Sequence, residues 1–145
     1  MPKTSLTSSS MFICLIISFF LPICAYAGDY LGDYCWKYND TTNDSSGLIK
    51  LGIDHIGGNH FICSGVIYVQ NPISLKIPTS GNIEFIDNSI LCTLSLNGIR
   101  NGKIGIQMIK IELDPSTLNG NSESFGAYAD ATESSTGTVI FTNCN

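Results

Sequence analysis

Cysteine is the residue type in this chain with the clearest potential for chemistry. Six cysteines occur, of which two lie within residues 1–27. The other four are Cys35, Cys63, Cys92 and Cys144. They lie too far apart in sequence for a Cys-x-x-Cys redox motif or a zinc ribbon. An even number of cysteines in an exported chain instead predicts disulfide bonds, and four cysteines allow three pairings.

Other residues capable of catalysis or modification are sparse. The chain has two histidines, His55 and His60, and two ligands are too few for a structural zinc ion. It contains no G-x-S-x-G, H-E-x-x-H, P-loop or G-x-G-x-x-G motif. Asn39 and Asn43 begin tripeptides that fit the acceptor pattern for N-glycosylation. The sequence therefore predicts no catalytic residue, no metal ligand and no cofactor, so we do not expect an enzyme.

Charge and composition narrow the class of partner. Only 13% of residues are charged, and 12 acidic residues outweigh 7 basic ones, giving a formal net charge of −5. A nucleic-acid-binding protein needs a basic surface to meet phosphates, so this balance argues against one. The 43% hydrophobic content argues against a disordered acidic tail. One folded domain is expected from the length.

Residues 1–27 have the pattern of a secretory signal peptide. Lys3 supplies a weakly positive start, residues 12–23 form an apolar run, and Ala25-Tyr26-Ala27 is an A-x-A cleavage site. Cleavage there leaves a single domain, residues 28–145, in the periplasm or outside the cell.

Two alternatives to cleavage are weaker. The apolar run is too short to cross the roughly 30 Å hydrocarbon layer as an anchor, and we expect no membrane span after cleavage. Acylation at Cys24 would make a lipoprotein, but the residue before that cysteine, Ile23, is larger than the motif requires.

The mature chain reads as a succession of strands and turns, without a sustained helical period. Strands are predicted near 33–38, 48–56, 60–69, 82–87, 89–97, 103–113, 124–131 and 137–143. Because Pro72 and Pro78 flank residues 73–77, that piece is predicted to be an edge strand or a connection. About eight strands joined by hairpins predict an all-β protein, an antiparallel up-and-down barrel, with a β-sandwich as the alternative.

The sequence leaves two features of the strands undecided. A two-residue loop at Gly57-Gly58 would pair His55 with His60, whereas a three-residue loop would pair His55 with Phe61. The second register is favoured because it gives the more apolar inner face. In strand 103–113 the apolar residues change parity near Met108, which predicts either a β-bulge there or a strand buried on both faces.

Barrel closure narrows the disulfide pairing. The first strand would lie antiparallel to the last, which brings Cys35 close to Cys144. Cys63–Cys92 then follows by elimination, although bridged Cα atoms must lie within about 7 Å of each other.

Aromatic residues occur on nearly every predicted strand. Such side chains either fill the core or line an apolar ligand cavity, and an eight-stranded barrel is close to the size at which both occur. The candidates for lining a cavity are Trp36, Tyr34, Phe61, Tyr68, Phe85 and Phe125.

The segment Gly32-Asp33-Tyr34-Cys35-Trp36, followed by a run of hairpins, resembles the start of calycin-type barrels, the group that includes lipocalins and avidins. The resemblance covers most of the mature chain as a strand pattern. Lipocalins separate the glycine and tryptophan of this region by one residue, whereas here three residues separate them. Residues 113–120 and the Tyr-Cys-Trp start are also similar to small exported bacterial proteins of unassigned function.

The calycin resemblance implies a barrel that binds a small ligand at its mouth without chemistry. We therefore expect an exported protein that binds a small, apolar ligand. The alternative is a structural or protein-interaction module of the adhesion or inhibitor type, with a filled core and an exposed apolar patch.

Overall fold

The computed structural model describes residues 28–71, 74–100 and 103–145, with only the backbone at 99 and 100. The predicted signal peptide, Pro72, Ile73 and the Asn101-Gly102 dipeptide lie outside the described residues. The strands are β1 (Asp29–Asp40), β2 (Ser45–Gly57), β3 (His60–Asn71), β4 (Leu75–Ile86), β5 (Ser89–Arg100), β6 (Lys103–Leu113), β7 (Gly120–Ala127) and β8 (Thr132–Thr142). The described part of the chain has no helix of the length and apolarity that a membrane span requires.

The eight strands form a closed barrel in which each strand pairs antiparallel with the next and β8 pairs with β1. This confirms the predicted up-and-down barrel, and the β-sandwich alternative is wrong. Closure satisfies the backbone groups that an open sheet leaves unpaired at its edges.

Alternating apolar residues form the core of the barrel. Ile49, Leu51 and Ile53 of β2 point inward and are buried, while Lys50 and Gly52 between them have the opposite parity. On β5 the same alternation buries Cys92 and Leu94. Strands with one buried face therefore enclose a largely apolar interior.

The first hairpin adopts the register favoured by the sequence. His55 pairs with Phe61 and Ile53 pairs with Cys63, so Cys63 faces the interior. Gly57 and Gly58 have φ angles of 123° and 58°, a conformation that L side chains rarely adopt. These two glycines thus allow the tight turn that sets the register of β3.

Strand β6 differs from both sequence interpretations. Its pairing with β5 and β7 runs without a register shift, so the predicted β-bulge near Met108 is absent. Ile104, Ile106 and Met108 all point outward and are 74%, 65% and 49% exposed, so the strand is not buried on both faces either. These three apolar residues do not belong to the core, because a folded protein also exposes apolar side chains on its surface.

Strand β4 corrects a second prediction. Residues 75–77 are not an edge strand or a connection, because they belong to β4, which lies between β3 and β5. Pro78 is tolerated there because the pairing of β4 with β5 begins only at Thr79, so its missing N–H breaks no ladder with β5.

Among the described residues one disulfide is formed, which joins Cys35 to Cys144 with 5.3 Å between their Cα atoms. It lies where β1 meets β8, as barrel closure predicted. Such a bond is compatible with an oxidising extracellular or periplasmic location.

The second predicted disulfide is not formed, since Cys63 and Cys92 are free, buried thiols. Cys63 lies on β3 and Cys92 on β5, and β4 runs between these strands. Neighbouring strands are about 4.8 Å apart, so two strands with one between them are about 9 Å apart. This exceeds the separation of about 7 Å that a disulfide tolerates.

Candidate ligand cavity

One end of the barrel contains an apolar cavity of about 300 Å³. Six strands and the loop after β6 contribute to its wall. The lining residues are Leu31, Tyr34, Trp36, Leu51, Ile53, Phe61, Ile83, Phe85, Ile90, Cys92, Ile111, Leu113, Pro115 and Leu118. On β2 to β6, and at Tyr34 and Trp36 of β1, their inward direction follows from the strand alternation, which places every second residue inside.

Four of the six aromatic candidates line this cavity. Tyr34 and Trp36 lie on β1, with ring centroids 6.2 Å apart and nearly parallel planes. Phe61 on β3 and Phe85 on β4 meet edge to face at 5.4 Å. Phe85 remains 47% exposed, so this second aromatic pair extends from the wall to the mouth.

The other two candidates lie on the outside of the barrel. Tyr68 has the outward parity of β3, and the Lys76 ammonium nitrogen lies 5.4 Å from the centre of its ring. Phe125 points outward from β7 and is 54% exposed. Both assignments were wrong because an aromatic residue alone does not reveal on which face of a strand it lies.

Most of the wall is aliphatic. Ile83, Ile90, Ile111 and Leu113 belong to this aliphatic part. These residues were missed by the sequence analysis, because its candidates for lining a cavity were all aromatic. Their strand parity is the sequence signal that could have found them. The mouth residues Pro115 and Leu118 come from a loop, for which no periodic signal exists.

The loop after β6 is fixed against the barrel by Trp36. The indole Nε1 of Trp36 donates a hydrogen bond of 2.9 Å to the backbone oxygen of Leu118. Leu118 has a φ of 56°, uncommon for a residue with a side chain. The Asp114 carboxylate accepts hydrogen bonds from the backbone N–H groups of Ser116 and Thr117, at 2.8 and 3.0 Å. These contacts hold the loop in one shape at the cavity mouth.

The chemistry of the cavity wall favours an uncharged ligand. None of the lining side chains carries a carboxylate, an ammonium group or an imidazole. Besides the Cys92 sulfur, the polar side-chain atoms of the wall are the Tyr34 hydroxyl and the Trp36 nitrogen, and the latter already donates to Leu118. A charged ligand would lose its hydration here without compensation.

The opposite end of the barrel is polar. A smaller cavity of about 140 Å³ is lined there by residues that include Tyr38, Asp40 and Ser135. Burial opposes ionisation of Asp40, but hydrogen bonds from Ser135, Asn43 and Thr42 outweigh it and lower the pKa of this carboxyl. Its negative charge is therefore stabilised at this end.

The two cavities are separated at mid-height. Leu94 lies on β5 between Cys92, which lines the apolar cavity, and Leu96, which lines the polar one. Leu94 and Val139 are fully buried and line neither cavity. They fill the centre of the barrel and give the apolar cavity a closed floor.

Two thiols lie beside that floor. The side chains of Cys63 and Cys92 are hydrogen-bonded to each other, and each is only 3% exposed. This hydrogen bond lowers the pKa of Cys63, with a further contribution from the Gly81 backbone. It raises the pKa of Cys92, and burial raises it further.

His55 pairs with Phe61 and His60 pairs with Gly57, so the two histidines are not cross-strand partners. His55 Nε2 lies 2.9 Å from the backbone oxygen of Gly58, and its ring contacts Phe61 at 4.9 Å. Among residues 28–71, 74–100 and 103–145, no group of three or more His, Cys, Asp or Glu is arranged around a common point suited to a metal ion.

The outer surface carries an apolar patch on β6 and β7, made of Ile104, Ile106, Met108 and Phe125. Met108 and Phe125 pair across the two strands, and all four side chains are about half exposed or more. We refer to these four residues as the outer patch.

Comparison with known proteins identifies no relative: no family model, no curated protein and no solved structure matches this chain.

Proposed function

We propose that this chain is an exported β-barrel that binds a small, neutral, apolar molecule in the cavity lined by Trp36, and that it does so without covalent chemistry. The observation that carries the proposal is the apolar cavity of about 300 Å³ at one end of the barrel.

The size of the cavity supports this function. Ligand sites in proteins usually measure about 300–1,000 Å³, so this cavity lies at the lower limit. An apolar cavity of about 150 Å³ accommodates benzene. A ligand of about two fused rings, or an alkyl chain of comparable bulk, is therefore the expected size.

Export is part of the same proposal. The signal-peptide pattern of residues 1–27 and the Cys35–Cys144 disulfide both agree with a periplasmic or extracellular location. A barrel with an apolar cavity at one end is suited to carrying or sequestering a poorly soluble molecule in such a compartment.

The direct test uses the single tryptophan of the chain, which lines the cavity. Mature protein is titrated with 1-naphthylamine, a neutral apolar fluorophore of two fused rings, and energy transfer from Trp36 is recorded. We expect saturable binding of one molecule per chain with efficient transfer. Native mass spectrometry of protein purified from its own source then identifies any retained ligand. Absence of saturable binding and of a retained ligand would overturn the proposal.

Filling the cavity is expected to reduce the affinity for this fluorophore at least tenfold. Ile83→Trp adds bulk to a wall residue that is 6% exposed. The matched control, Ile62→Trp, makes the same change on the outer face of β3, where the residue is 45% exposed. Affinity is measured from fluorophore emission under direct excitation, and thermal unfolding shows whether each variant is folded. Equal losses in both variants would place the binding site outside the cavity.

The outer patch supports a second candidate function, a protein-interaction module whose partner is another copy of this chain. Lys110 and Glu123 pair across β6 and β7 beside one end of the patch. Near its other end, Lys103 and Asp130 form a salt bridge of 2.8 Å. Each end thus offers one charge of each sign, so two copies packed face to face can match opposite charges at both ends.

This second candidate predicts self-association through the outer patch. Ile106→Ser is expected to weaken the dimer at least tenfold, measured by sedimentation velocity over a range of protein concentrations. Ile140→Ser is the control, because Ile140 is 57% exposed on β8 and lies outside the patch. A wild-type protein that stays monomeric at all concentrations would contradict the self-association.

A further inference from the structure

Cys63 and Cys92 form a pair of buried thiols inside the barrel. Each belongs to the inner face of its strand, and the two side chains are hydrogen-bonded to each other. The residue of β4 that pairs with Cys63 is Gly81. Cys92 pairs with Ile83 of β4, two residues from Gly81, so the two thiols meet on a diagonal across β4 rather than directly opposite each other.

The backbone geometry brings the thiols together but disfavours their oxidation to a disulfide. With β4 between their strands, the two backbones are too far apart for the roughly 2.05 Å bond between bridged sulfurs. Closing β3 onto β5 far enough for a disulfide would require β4, which lies between them, to move.

A metal ion bridging the sulfurs needs a smaller approach of the two strands than a disulfide does, because it holds the sulfur atoms further apart. Metal–thiolate bonds of about 2.3 Å give a linear S–metal–S unit about 4.6 Å long. That unit needs two ligands only, whereas a structural zinc site needs four. Paired thiolates without further ligands favour soft, singly charged d¹⁰ ions such as Cu(I).

We propose that Cys63 and Cys92 form a two-coordinate site for a soft monovalent metal ion, Cu(I) or its analogue Ag(I). Binding forms two metal–sulfur bonds and releases one proton from each thiol to solvent, so that the complex carries one negative charge. Cys92 lines the apolar cavity, which provides a route for the ion from the barrel mouth. The proposal does not rest on the proposed ligand-binding function, although Cys92 belongs to the wall of the same cavity.

The test uses mature protein in which the Cys35–Cys144 disulfide is intact, so that Cys63 and Cys92 are its remaining cysteines. The probe is Ag(I), and Cu(I) held reduced by ascorbate is added against a chromophoric Cu(I) chelator. We expect one ion per chain, seen by native mass spectrometry as the metal mass less one proton, because a singly charged ion replaces one proton at a given charge state. X-ray absorption of the copper-loaded wild type is expected to show two sulfur neighbours.

Single substitutions locate the site. Cys63→Ser and Cys92→Ser are each expected to lower the affinity for Ag(I) at least 100-fold. Met108→Leu is the control, because Met108 carries the mature chain's one thioether sulfur and lies on the outer patch. Unchanged affinity in the cysteine variants, or loss of binding in Met108→Leu, would overturn the proposal. So would isolated protein in which alkylation after denaturation finds no free thiol, or a copper spectrum without two sulfur neighbours.

Discussion

Replacing Cys35 and Cys144 together by serine is expected to lower the free energy of unfolding by about 4 kcal/mol. The disulfide joins residues separated by 109 positions. In the chain-entropy model, a bond that closes a loop of about 100 residues stabilises the folded state by up to about 4.7 kcal/mol. Urea unfolding followed by circular dichroism measures the loss, which should appear as a lower midpoint.

The location of this disulfide in the barrel adds to its effect. β1 pairs with β8 only from Cys35 to Asp40, so the first half of β1 has no partner in β8. The disulfide is at the end of that paired segment. A variant as stable as the wild type would show that the strand pairing alone closes the barrel. Cys63→Ser is the control, since it removes a sulfur without removing a cross-link.

Trp36→Ala is expected to destabilise the protein by about 3–5 kcal/mol, in the range for large-to-small changes in a core. Trp36 is 5% exposed and contacts Tyr34 and Phe141, with ring centroids 6.2 and 5.9 Å away. The change also removes the hydrogen bond to Leu118 and part of the cavity wall. We therefore expect loss of fluorophore binding together with the loss of stability.

Trp36→Phe separates the hydrogen bond from the packing. It retains an aromatic ring but cannot donate to the Leu118 carbonyl, and should cost about 1–3 kcal/mol when that group is left unpaired. Because both variants lack the fluorescent reporter, unfolding is followed by circular dichroism. A cost below 1 kcal/mol for Trp36→Ala would contradict the packing described for Trp36.

The predictions that succeeded rest on local patterns. Alternation in β2 and β5 identified inner faces, because a strand with one buried face needs apolar residues at every second position. The favoured turn at Gly57–Asn59 placed Cys63 inside correctly. From these strands and their hairpins, the fold class could be predicted without structural information.

The predictions that failed needed knowledge of neighbouring strands. Met108 and Phe125 are apolar but lie opposite each other on the outside of β6 and β7. Composition does not reveal on which face an apolar residue lies. The change of parity in β6 was interpreted as a β-bulge or as a strand buried on both faces, whereas the structure shows a regular strand with apolar residues on its outer face. The pairing of Cys63 with Cys92 by elimination ignored β4, which separates their strands.

The sequence by itself predicted the all-β class, most of the strands, the favoured barrel and the proximity of Cys35 and Cys144, because these depend on alternation, turn residues and the meeting of first and last strands. Only the tertiary structure decided which side chains surround the cavity. A cavity is space left between elements distant in sequence, so its volume depends on how Ile83, Leu113 and Leu118 meet across the barrel. For the same reason, two cysteines that no sequence motif connects lie in contact inside the barrel.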